Sequence, residues 1–347
     1  MFPYRATDLI EKQASKMRAD RAFKDSVKSA GLKWSAVEKV LPDWAGQAFD
    51  SASGVLELKG FLVRHLGLHL ESDGSLTAAV LPTALFKTTA GTDIETVSAA
   101  RRIATSCAKI VAQATKPKWS GFNSDPSSIR SSIIEKSKHG WVDFESLLAK
   151  CWEVGIPVIY LPDLPVEGRK MQGMVTNVVG RPVIVLSKKD QADWLLFILA
   201  HELGHIARGH LPQTEGGAIV DAEVTADSSS DSQEDEANSF ALAVLTPFKG
   251  IRIASTVPKA PELAEAAIKF GKAKGISPGH VILNAVRNTT INGHKLFALG
   301  RAAQKLLPVE LSSRPVDELC KESIAENIDV DRLTYDSAEY LENLGVL

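Results

Sequence analysis

Cysteine is scarce in this 347-residue chain: Cys107, Cys151 and Cys320 are few, odd in number and far apart. That excludes a disulfide framework and a thiolate zinc knuckle, and fits a reducing compartment. Net charge is also small, with 40 Lys and Arg against 42 Asp and Glu. A near-neutral chain is neither a nucleic-acid coat nor a polybasic membrane binder, although local patches can still form. Long apolar runs are missing too. The longest, Trp194 to Ala200, falls far short of a bilayer span, and Met1 to Asp8 holds no apolar signal core. The expectation is a cytoplasmic protein with no membrane partner.

What is present is ample apolar content, 44% of residues, enough for two or three packed units. Residues 1–118 read as mostly helical, with an amphipathic stretch through Val55, Leu56, Leu58, Phe61, Leu62 and Leu66 that closes at Gly67. Their role is open. Residues 119–140 contain the polar, turn-rich piece Trp119 to Ser128 and read as a linker. Residues 101–138 are locally basic, with Arg101, Arg102 and Arg130 among them, so nucleic-acid contact stays an open question.

From Trp141 the pattern changes. A helix from Phe144 is stopped by Gly155, and Pro157 to Leu161 reads as a short buried strand. Met171 to Val179 and Arg181 to Leu186 are two further β-rich runs divided by Gly180, and a long helix follows over about 189–209. The polar, acidic stretch from Thr214 to Asp235 reads as a loop, and a helix beginning near Ser232 ends at Pro247. Two more helices follow, and residues 289–347 are helical in tendency. The fold class predicted is α+β and mostly helical. A small β-sheet packs on the helix of 189–209, with added helical regions at both ends of the chain.

That helix contains His201-Glu202-Leu203-Gly204-His205. Two imidazoles four residues apart leave a helix one turn apart on one face, where both can bind a single tetrahedral Zn²⁺. Glu202 is rotated away from them, able to act as a general base without being a ligand. His65 and His69 share the spacing but have no Glu after the first and no matching carboxylate helix, so they read as ordinary amphipathic residues. A third ligand is needed. His210 follows five residues after His205, the wrong interval for a metzincin triad, and reads as a helix-end residue near the site. Glu234 is the preferred third ligand, with Asn238 one turn on to hold a ligating histidine by a hydrogen bond. Glu236 and Glu223 are the alternatives, because neighbouring carboxylates cannot be separated by pattern. His210, Tyr160 and Arg208 are candidates for substrate or oxyanion contacts, and Pro182 to Leu186 for a sheet edge that pairs with substrate.

Ile198 to His205, together with Glu234-x-Glu236-Ala237-Asn238-x-Phe240-Ala241-x-x-x-Leu245-x-Pro247, resembles the ImmA/IrrE family of zinc metallopeptidases. Gly155-Ile156-Pro157-Val158, Pro182 to Leu186 and Gly275 to Val281 extend the resemblance over about 141–288. It implies His201, His205 and Glu234 as zinc ligands and Glu202 as the catalytic carboxylate of an endopeptidase. It also implies a regulatory protease whose protein substrate is a transcriptional repressor. The alternative expectation is a latent or non-catalytic zinc-binding regulator or interaction protein, with its N-terminal region as the candidate for DNA association.

Overall fold

Trp194 to Ala200 is apolar nearly all round, and a helix of that kind is stable only when enclosed. The computed structural model encloses it between a five-stranded sheet and further helices. It describes residues 20–347 apart from 83, 88–93, 123, 167–170, 222–230, 249, 254–255, 292 and 312–313. In chain order the described elements begin with α1 (20–29), α2 (Trp34–Val37), α3 (Ala52–Leu66), β1 (Leu68–Leu70), β2 (Leu76–Ala78), β3 (Ala84–Lys87) and α4 (Ile94–Ala114). Then come α5 (Pro126–Lys136), α6 (Phe144–Glu153), β4 (Val158–Tyr160), β5 (Gly173–Val178), β6 (Arg181–Leu186), α7 (Ala192–Ala207), β7 (Ala218–Asp221) and α8 (Ser232–Leu245). The chain closes with α9 (Ala260–Lys274), α10 (Pro278–Asn288), β8 (Thr290–Ile291), β9 (His294–Lys295), α11 (Phe297–Gln304), α12 (Val316–Asn327) and α13 (Tyr335–Asn343). The fold is α+β and mostly helical.

The main sheet has the order β3-β7-β5-β6-β4. β5 runs antiparallel to β6 and β7, while β4 pairs parallel to β6 and β3 parallel to β7. β5 and β6 form a hairpin across Val179 and Gly180, both at positive φ (54° and 70°), as a two-residue turn of matching twist requires. Helices α4 and α7 both pack against β5 and β6. Consecutive residues of β5, β6 and β7 are nearly all buried, as in a sheet covered on both faces. Pro182 to Leu186 is therefore not an edge. β6 is paired on both sides, and the outer strands are β3 and β4. The stretch expected as a loop over Thr214 to Asp235 contains β7 and the first turn of α8. Its middle, including Glu223, lies outside the described residues.

The N-terminal third joins this core. β3 and α4 build the sheet and one of its covers, and a single apolar cluster runs from Phe23 to Val346. Residues 119–140, expected as a linker, hold α5, which packs against α8. Its Arg130 donates to the carbonyls of Val244, Leu245 and Gly275, which lie at and beyond helix ends. Arg101 donates to the carbonyls of Pro82 and Gly216, and Arg102 to that of Ala30. All three guanidinium groups are buried, so the strongest part of the basic stretch serves backbone carbonyls. The control pair also separates: α3 ends at Leu66 and Gly67 turns left-handed, so His65 stays buried against Phe61 while His69 falls on β1.

A second, smaller apolar cluster joins α9, α10 and α11 through Ile276, Ile282 and Leu307. At its border His280 on α10 is buried and shares a hydrogen bond with Thr246. Burial, then the positive charges of Arg130 and Arg287, push its pKa down to about 3. Above pH ~6.5 the ring is neutral in both folded and unfolded chains. Below that, the unfolded chain takes up a proton that the fold refuses, so stability is lost as pH falls from ~6.5 toward ~3. We expect His280→Gln to flatten the decline of the urea midpoint over that window. Parallel curves for the variant and wild type would show that other groups set it.

Candidate metal centre

Helix α7 carries His201, Glu202 and His205 at full burial, with the two imidazoles on one face as their spacing dictates. Their Nε2 atoms lie 3.0 Å apart. Helix α8 crosses against this face, started by Asp231, whose side chain accepts from the Gln233 amide. Close approach of the two helices depends on Gly204. A Cβ there would lie 2.9 Å from the Ala237 carbonyl oxygen and 3.0 Å from its Cα. Glu234, in the first turn of α8, thereby reaches both histidines. One carboxylate oxygen is 3.4 Å from His201 Nε2 and the other 3.4 Å from His205 Nε2.

A fourth group enters from the sheet. Asp221 ends β7, fully buried, with Oδ2 3.4 Å from His201 Nε2 and 3.7 Å from His205 Nε2. Ligand atoms from His201, His205, Asp221 and Glu234 all lie within 4.8 Å of one another. Glu202 stands beside them, accommodated by Gly173 in β5, where a Cβ would fall 1.9 Å from its Oε1. Both carboxylate oxygens of Glu202, both of Asp221 and Oε1 of Glu234 are buried without a hydrogen-bond partner. Buried charge without hydrogen bonds persists where a cation compensates it. Ligands at about 2.0–2.2 Å in a tetrahedron stand about 3.3–3.6 Å apart, which the histidine–Glu234 contacts match. These residues fit a zinc ion.

The outward ring nitrogens are held in turn. His201 Nδ1 donates to Asn238 Oδ1 at 3.0 Å. His205 Nδ1 contacts His210 Nδ1 at 3.0 Å, and His210 Nε2 lies 3.0 Å from Glu236 Oε2. One set of tautomers satisfies every contact: His205 donates from Nδ1 to His210, and His210 donates from Nε2 to the Glu236 carboxylate. Each Nε2 of the pair on α7 is then left free of hydrogen and turned inward. Glu236 thus belongs to this outer chain and not to the centre. His210 has both nitrogens engaged, Nδ1 with His205 and Nε2 with Glu236. Tyr160 is elsewhere: it borders a cavity with Asp190, Ala192 and Asp193, at the opposite end of α7 from the histidines. Burial and the nearby Asp317 carboxylate push its hydroxyl up to about 12. Arg208 stacks over the Phe240 ring just past the end of α7.

Electrostatics at the centre are those of a cation site. Burial works against charge on His201, but Asp221 and Glu234 outweigh it and hold its pKa up at about 9. Glu202 is raised well above the usual carboxylate range by burial first and then by the charges of Asp221 and Glu234. Burial would raise Asp221 likewise, but the two histidines hold it low. The field that keeps a proton on His201 favours a metal cation at the same place.

Asp221 and Gly173 were not singled out by sequence. The available signals were weak: Asp221 closes the apolar Ala218-Ile219-Val220 inside a polar stretch, and Gly173 opens a β-rich run. The outer chain gives a direct expectation. His210→Ala and Asn238→Ala should each weaken zinc binding about 10–100-fold in competition with a chelator, with little change in helix content. Unchanged affinity in both would remove these residues from the metal's support.

A comparison with curated proteins found no match. A family model described as the IrrE N-terminal-like domain, of a peptidase family, matches residues 151–264. That span covers β4 to α8, and hence every residue that faces the centre. Over this third of its length the chain is similar to the IrrE N-terminal-like domain of that peptidase family.

Proposed function

We propose that the protein is a zinc-dependent endopeptidase of the cytosol, a selective regulatory protease that cleaves a transcriptional repressor or a similar regulatory protein. The observation that carries this reading is the joint burial of His201, His205, Glu234 and an unpaired Glu202 around one point. In it, His201, His205 and Glu234 hold the metal, which when bound supplies a Lewis acid that activates water and polarises a carbonyl. Glu202 accepts the proton of the attacking water and returns it to the leaving amine. Its raised pKa suits a group that must take up and release a proton near neutral pH. Asn238 and the His210–Glu236 pair keep the imidazoles in the required tautomers.

A cytosolic setting is supported by the three cysteines, all free and buried, with thiols that burial pushes up to about 12. Among the described residues no helix is long and apolar enough to cross a membrane. The peptidase part of the reading is supported by the family match. The test is to express wild type and Glu202→Gln in the native cell and compare the two proteomes by mass spectrometry. A regulatory protein shortened only by wild type is the expected result. Identical proteomes, from a wild type shown to carry zinc, would turn the reading toward a non-catalytic regulator.

A further inference from the structure

Three protein ligands are what a hydrolytic zinc centre needs, because a fourth position must stay open. This centre presents four candidates. The contacts of the histidine Nε2 atoms with Asp221, at 3.4 and 3.7 Å, are too long for hydrogen bonds. They are close to the edges of a coordination tetrahedron. Taken with the 3.0 Å between the two nitrogens and the 3.4 Å from His201 to one Glu234 oxygen, four of its six edges fall near the expected length. Asp221 is also fixed in place. The register of β7 on β5 sets it opposite Gly173, and its carbonyl accepts from the Gln172 amide at 2.7 Å. Its carboxylate stands at zero exposure, with the two histidines and Glu202 as the groups that act on it.

We propose that Asp221 is a fourth protein ligand, so that the resting zinc centre is closed and the enzyme latent until this carboxylate withdraws or the metal expands its coordination shell. The inference rests on the zinc-peptidase reading and adds a built-in block to it. The competing role for Asp221 is as a neighbour of Glu202 alone, sharing its proton and never touching the metal. The two roles differ in what the metal itself reports.

The test uses the full chain with Co²⁺ in place of Zn²⁺, read by visible absorption, with zinc affinity from chelator competition. Wild type should show the intense absorption of a four-coordinate site that does not change on titration with azide. Asp221→Asn and Asp221→Ala should bind zinc at least about tenfold more weakly, and their Co²⁺ spectra should respond to azide. Glu202→Gln, which touches the competing role, should keep the wild-type spectrum. Variants with wild-type zinc affinity and unaltered Co²⁺ spectra would overturn the assignment. So would an azide-responsive wild type, a measurement that does not depend on the variants folding. A wild type that takes up neither metal would instead sink the zinc-peptidase reading itself, and this inference with it.

Discussion

Glu202→Gln is expected to lower peptide hydrolysis by about 10²–10⁴-fold while zinc content stays at the wild-type level. The amide has the shape of the carboxylate but cannot take a proton from water. It fits the space that Gly173 leaves open, so the fold has no reason to change. The side chain is not among those whose atoms converge on the centre, so the metal should remain. The variant should even be slightly easier to fold. It removes a carboxylate whose ionisation is opposed by burial and by the charges of Asp221 and Glu234. Elemental analysis and a rate measured on the cleaved substrate decide the matter. Full activity with full zinc would mean that another group handles the proton, and loss of zinc would mean that Glu202 is itself a ligand.

Removing the metal is the second large effect. Without a cation the fold must keep two histidines and three carboxylates buried together, most of the carboxylate oxygens without hydrogen bonds. A ligand present at about a thousand times its dissociation constant stabilises the native state by about 4 kcal/mol. For a chain of this size that corresponds to a fall of roughly 5 °C in Tm on chelation. Re-addition of Zn²⁺ should restore both Tm and activity. The effect should vanish in a His201→Ala, His205→Ala double variant, which has no metal to lose. A wild-type Tm indifferent to chelator would leave the four converging side chains without a thermodynamic role.

Local signals carried much of this site. His201, Glu202 and His205 are set by the helical repeat alone, and Glu234 with Asn238 by the same repeat on a second helix. Gly204, between the two histidines, is where α8 crosses α7. What sequence did not disclose depends on pairing across long separations. Asp221 becomes part of the centre only because β7 lies beside β5, a register that a four-residue strand inside a polar stretch does not announce. His210 and Glu236 form a pair only once α8 folds back on the end of α7. β6 looked like a free edge because it precedes the active helix. It became interior when β4, from before it, and β5 took its two sides. Arg101, Arg102 and Arg130 show the same limit from another direction, since a basic run looks alike whether it faces water or supports carbonyls inside the fold.

The parallel pairing of β3 with β7 bears on how this protein can be divided. The matched domain begins at residue 151, yet Ala84–Lys87 lies alongside the strand that ends in Asp221. A fragment cut at the family boundary would bare the amide and carbonyl groups of β7 directly beside the reactive centre. Such a raw edge recruits other strands, including those of identical fragments, and invites fibrous association. The N-terminal third is therefore no exchangeable module. Grafting either half onto another protein would carry the β3–β7 seam along.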